Sequence, residues 1–111
     1  MRTLKTPALA ALATLWLGSA WAAEVPEIRL TIENHRFSPA ELRVPQGQKV
    51  KLIVENRDAT PEEFESYELN REKVVLGNAS ISVFVGPLEK GRYKFFGDFH
   101  QDSAQGALIV D

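Results

Sequence analysis

One histidine between two aspartates, and a run of five glutamates, are the residues of this chain best suited to chemistry. His100 stands between Asp98 and Asp102, next to Phe99 and just after Phe95-Phe96-Gly97. Glu62, Glu63, Glu65, Glu68 and Glu72 fall within eleven positions. Imidazole and carboxylate together form the donor set of iron, manganese, Cu(II) or zinc rather than of Cu(I). Carboxylates that converge repel one another unless a cation compensates, so convergence of these acids would imply an ion. The plainer reading of the acidic run is a solvated edge paired with Arg57, Arg71 and Lys73. In an extended stretch, Asp98, His100 and Asp102 share one side, and a turn among them would end that sharing. His35, beside Arg36 in a polar segment, reads as a surface residue.

What the chain lacks narrows the chemistry further. It has no cysteine, and its single methionine is the initiator. That excludes a thiolate nucleophile, thiol redox work and soft metal ligation. Ser66, Ser80, Ser82 and Ser103 have no Gly-x-Ser-x-Gly surroundings, and no phosphate-cradling loop is present.

The elements that must position these residues are strands. Residues 1–22 stand apart as a secretory leader: Arg2 and Lys5, an apolar run from Ala8 to Leu17, then Ala20-Trp21-Ala22 at the cleavage site. The domain expected to remain spans 23–111, with 11 basic residues left against 15 acidic ones and a net charge of −4. An acidic chain without a basic stripe argues against nucleic acid as a partner. Ile28–Glu33, Lys49–Asn56 and Ser80–Val85 alternate apolar and polar residues, as half-buried strands do. Glu41–Val44, stopped by Pro45, and Lys73–Leu76 are shorter strands, and Arg92–Phe96 and Ala107–Val110 are the last two. Residues 34–39 read as a loop with Phe37 turned inward, and 65–73 as an irregular or helical excursion. The fold class is all-β, an antiparallel Greek-key sandwich or barrel of about seven to eight strands.

The pattern Phe37-x-Pro39-x-x-Leu42-x-Val44-Pro45-x-Gly47-x-x-Val50, then Asn56, Phe64, Phe95-Phe96 and Gly106-x-Leu108-x-Val110, resembles the cupredoxin family over nearly all of residues 23–111. In that family one metal-binding His follows the loop after Asn56, and a Cys-x-x-His-then-Met loop joins the last two strands. Carried onto this chain, the first His falls on Glu62, the Cys on Gly97, the second His on His100 and the Met near Ser103. Only His100 is retained, and a type 1 blue copper centre is excluded because it needs the thiolate.

Glu63-Phe64-Glu65, with the stretches Phe64–Glu72 and Phe95–His100, is similar to the cupredoxin-like domain of EfeO-type periplasmic iron-uptake proteins, small cupredoxins that accompany a membrane iron permease. The resemblance implies a periplasmic protein that binds ferrous iron, with oxidation to ferric iron as a further step. It also implies delivery to the permease, with a periplasmic or membrane redox partner. With Phe64 inward, Glu62 shares its parity and points into the mouth of the fold, while Glu63 and Glu65 take the opposite face unless the strand starts late. The expected metal ligands are Glu62, Glu63, Asp98, His100 and Asp102, with Glu65 and Glu68 in reserve, for iron or copper. Two alternatives stand beside iron handling: a Cu(II)-binding carrier, and a metal-free sandwich serving as an interaction module.

Overall fold

Apolar alternation in the chain becomes alternation of buried and exposed side chains in a computed structural model, which describes residues 24–111. The expected leader over 1–22 lies outside the described residues. Nine strands follow in order: β1 (Glu27–Glu33), β2 (Arg36–Ser38), β3 (Glu41–Arg43), β4 (Val50–Asn56), β5 (Glu62–Ser66), β6 (Arg71–Val75), β7 (Ser80–Val85), β8 (Gly91–Gly97) and β9 (Gln105–Val110). A 3₁₀ turn, Asp98–His100, interrupts the connection from β8 to β9. In β4 the residues Val50, Leu52, Val54 and Asn56 all face inward, as their parity dictates.

The strands form two sheets, β2-β1-β4-β7 and β3-β9-β8-β5-β6, stacked as an all-β sandwich. The expected class holds, but the sheets are mixed: β1 pairs with β4, and β3 with β9, in parallel. Parallel neighbours need a crossover. Here the chain supplies it by leaving the first sheet for β3 and returning for β4. A period-2 pattern carries no information about strand direction, so this feature was not legible.

Two segments read differently from expectation. Arg36–Ser38 is a strand closing a hairpin on β1, and 65–73 contains the end of β5, a turn and the start of β6 rather than a helical excursion. Glutamate packs poorly on a pleated surface, which obscured β5. Burial of Glu62, Phe64 and Ser66 along one face overrides that propensity. The turn is closed by the Asn70 N–H donating to the Tyr67 carbonyl at 3.1 Å, with Asn70 at a positive φ of 54°.

Three phenylalanines knit the sheets together near the end where the acids lie. Phe64 and Phe95 are fully buried with ring centroids 5.2 Å apart, and Phe37 meets Phe95 edge-on at 4.9 Å. Each such side chain contributes roughly 1.5–3 kcal/mol through burial. The exposed edges β6 and β7 are joined by side chains: Arg71 Nε donates to the Phe84 carbonyl at 2.7 Å and Lys73 Nζ to that of Ser82 at 3.1 Å. Charged residues on an edge also discourage pairing with a foreign strand.

Three connections meet at one end of the sandwich: the β1–β2 turn, the β4–β5 loop and the β8–β9 connection. Asn56, at the end of β4, braces the middle one. Its amide donates to the carbonyls of Thr60 (2.8 Å) and Leu76 (3.2 Å), and its Oδ1 accepts from the Asp58 N–H at 3.0 Å. That brace delivers the chain to Glu62 in a fixed register.

Candidate metal centre

Glu62 opens β5 and points inward with the parity of Phe64, leaving only 1% of its surface exposed. Its carboxylate is fully engaged. Oε1 accepts from the backbone N–H of Phe99 at 2.8 Å and of Glu63 at 3.0 Å, and Oε2 lies 2.6 Å from His100 Nδ1. A carboxylate only accepts, so with Glu62 ionised it is Nδ1 that carries the proton. Such a charge-assisted bond to a buried carboxylate is short and strong.

His100 is brought there by the 3₁₀ turn and by closure of the connection behind it. The Ala104 N–H donates to the His100 carbonyl at 2.8 Å, and the Gly97 N–H to the Ala104 carbonyl at 2.9 Å. Gly97 faces the same carboxylate. A Cβ added there would lie 2.6 Å from Glu62 Cδ, 2.8 Å from Oε2 and 2.7 Å from Ala104 Cβ. The space that a thiolate at position 97 would need is thus filled by the carboxyl group of Glu62. A type 1 copper centre does not fit: its sulfur is missing and the room for it is taken.

The five expected ligands separate into distinct groups. Glu62 and His100 are in direct contact. Glu63 and Asp98 lie elsewhere, with Glu65, because β5 starts at Glu62 and parity turns Glu63 to the outer face. One carboxylate oxygen each from Glu63, Glu65 and Asp98 lies within 4.8 Å of the others, all three residues being half-buried. Asp102 is exposed and makes no hydrogen bond or ion pair with either group among the described residues. The expected sharing of one side by Asp98, His100 and Asp102 is corrected: the 3₁₀ turn and the turn after it replace the extended backbone that such sharing requires. Of the reserve residues, Glu68 is committed to accepting from the Lys94 N–H at 2.8 Å.

The crowding on the outer face shows in Glu63. Lost hydration raises its carboxyl first, then a hydrogen bond shared with Glu65 and repulsion from Glu72, Glu65 and Asp98, taking it from 4.5 to about 7. A carboxyl raised on folding disfavours the folded state once it must ionise, so stability declines as pH climbs from 4.5 towards and past about 7. Glu63→Gln is therefore expected to melt above the wild type at pH 8 and level with it near pH 4.5. Melting curves across that range check the sign.

His35, expected at the surface, has 42% of its side chain exposed. What the sequence did not show is that its ring stacks on that of His100, with centroids 3.6 Å apart and planes 12° from parallel. His35 Nδ1 lies 3.4 Å from Asp58 Oδ2. The Asp58 carboxyl sits below its usual range, chiefly because it accepts the His35 N–H, with the Asn34 N–H and the two imidazoles adding to the effect against partial desolvation. The sequence carried little signal of this: Asn34 suits a turn, but Asn-His lacks the glycine that marks a two-residue hairpin.

Comparison with known proteins matches residues 7–110 to a family model described as a cupredoxin-like domain. An uncharacterized protein of Rickettsia prowazekii (strain Madrid E) is 49% identical over 85 residues, covering 77% of this chain and 68% of that protein. Among solved structures, auracyanin A, a blue copper protein of Chloroflexus aurantiacus, superposes with a TM-score of 0.66 at 17% identity, covering 79% of this chain and all of that one. The metal-binding domain of the Cu(I)-exporting P-type ATPase of Streptococcus pneumoniae, solved with Cu(I), gives 0.65 at 17% identity, covering 77% and 84%. Amicyanin of Paracoccus versutus gives 0.61 at 18% identity, covering 81% and 88%. At these identities the likeness is one of fold.

Proposed function

This chain belongs to the family of cupredoxin-like domains, and from that premise we propose that it is an exported, sulfur-free cupredoxin that binds ferrous iron for delivery to a membrane iron permease. The observation that carries the reading is the contact between Glu62 Oε2 and His100 Nδ1 at 2.6 Å, in the space a thiolate at position 97 would occupy. Oxygen and imidazole nitrogen suit iron or Cu(II) and disfavour Cu(I). Oxygen donors also stabilise ferric over ferrous iron, which eases loss of an electron after binding. The leader-like pattern of residues 1–22 supports an exported, periplasmic location, and the EfeO-type resemblance supports the permease.

A proton joins the pair. An ion would be held by Glu62 Oε2 and His100 Nδ1, oxygen and nitrogen donors that would each need to stand about 2.0–2.2 Å from it. To hold it, the Glu62–His100 contact would open from 2.6 Å and Nδ1 would give up its proton. Uptake should release a proton and weaken as pH falls, because a ligating imidazole must give up the Nδ1 proton. The Glu63–Glu65–Asp98 group offers a second, oxygen-only set of donors across β5.

The test is anaerobic titration of the purified protein with Fe(II). Binding should be lost in Glu62→Ala/His100→Ala and kept in Glu63→Gln/Asp98→Asn. Unchanged affinity in the first variant would remove the pair from the site, and loss confined to the second would move the site to the outer face. In air, Fe(II) consumption above the uncatalysed rate would add oxidation to binding.

A second reading, a Cu(II) carrier, is favoured by structural neighbours that are copper proteins and by the higher affinity of Cu(II) for most nitrogen and oxygen sites. Competition between the two metals at buffered free concentrations separates the readings.

A further inference from the structure

We propose that His35 is a positioning residue of the metal centre, holding the His100 imidazole so that Nδ1 stays aimed at Glu62. The inference rests on the metal-binding reading above. It starts from an unfavourable choice of residue. Glu33 pairs with Arg36, so Asn34 and His35 alone form the β1–β2 turn, with φ of 54° and 57°. Turns of this kind favour Asn followed by Gly, because glycine enters the left-handed region without a Cβ penalty. A histidine in the glycine position forgoes that advantage. A side chain kept in a strained conformation invites a functional explanation.

The surroundings supply one. The backbone of the turn is clamped from both loops that carry the metal-binding pair. From the loop before Glu62, Asp58 accepts the N–H groups of Asn34 (2.8 Å) and His35 (3.0 Å). From the loop after His100, the Ser103 hydroxyl donates to the His35 carbonyl at 2.6 Å. The ring so placed covers one face of His100 at stacking distance, leaving its neighbour 30% exposed. The hydrogen bond to Glu62 fixes one edge of His100, and the stack fixes its plane.

The same geometry argues against His35 as a co-ligand. Imidazole nitrogen donates in the plane of its ring, and the two planes are nearly parallel at 3.6 Å between centroids. An ion in the plane of His100 lies well out of the plane of His35. The ring acts as a wall.

Three substitutions test this. His35→Gly restores the favoured turn residue and removes the ring, His35→Ala removes the ring alone, and His35→Phe keeps an aromatic face without a donor nitrogen. His35→Gly should melt at or above the wild type yet bind Fe(II) and Cu(II) about tenfold or more weakly, the usual scale for losing a partner that orients a ligand. His35→Phe should stay within about threefold of the wild type. Nitrogen-15 spectra of the metal-free proteins should show His100 protonated at Nδ1 in the wild type and His35→Phe, and mixed tautomers in His35→Gly and His35→Ala. Wild-type affinity and an unchanged His100 spectrum in His35→Gly would overturn the proposal. So would a His35→Phe protein as weak as His35→Gly, which would make the ring a ligand. If the wild type takes up neither metal, the functional reading fails, while the metal-free spectra still decide the role of His35.

Discussion

Glu62→Ala should abolish tight metal binding and lower stability by about 1–3 kcal/mol, the scale on which leaving a buried donor without its acceptor acts. The carboxylate serves three donors at once: His100 Nδ1 and the N–H groups of Phe99 and Glu63. Truncation leaves all three without their acceptor in a partly buried site, and opens a cavity beneath the 3₁₀ turn. Glu62→Gln preserves the volume and one carbonyl acceptor. Its amide nitrogen, however, can meet His100 only if the imidazole gives up the Nδ1 proton and shifts to the other tautomer. It should lose about 1–2 kcal/mol, the scale of one compromised hydrogen bond, and most of its metal affinity. Urea denaturation beside Fe(II) titration reads both effects. A Glu62→Ala protein as stable as the wild type would show that the carboxylate is not the keystone of this end.

Reintroducing sulfur should fail. Gly97→Cys places a Cβ within 2.6–2.8 Å of Glu62 and Ala104, inside any real contact distance. We expect a loss of about 1–3 kcal/mol, typical of overpacking, and no blue colour with Cu(II). The conflict with Glu62 can be isolated with alanine. Gly97→Ala should be destabilising alone, and Gly97→Ala/Glu62→Ala less so than the two losses added together, by about 1 kcal/mol or more. Strict additivity in that cycle would mean that the glycine and the glutamate did not replace the sulfur site as a coupled pair.

How much of this was written legibly in the chain depends on distance along it. Val50–Asn56 and Ser80–Val85 announce themselves by alternation, since a strand's inward face is decided locally. The inward turn of Glu62 follows from Phe64 two residues on, and its meeting with His100 from the spacing of a family motif. The hairpin Glu62–Val75 was obscured because glutamates dominate it, and only its pairing to β8 shows why they are tolerated. His35 was beyond reach for a different reason. Its neighbour Arg36 suggests a surface, and the stack on His100 depends on a turn, two loops and the Asp58 and Ser103 contacts that bind them. Asp98 and Asp102 do not share a side with His100, because a 3₁₀ turn replaces the extended backbone that a period of two requires.

The most direct test is an anomalous-scattering map, recorded at the iron edge, of crystals grown anaerobically with Fe(II). The account predicts a peak within bonding distance of Glu62 Oε2 and His100 Nδ1, with those atoms parted from 2.6 Å. A peak only among Glu63, Glu65 and Asp98, or none at saturating iron, would contradict it.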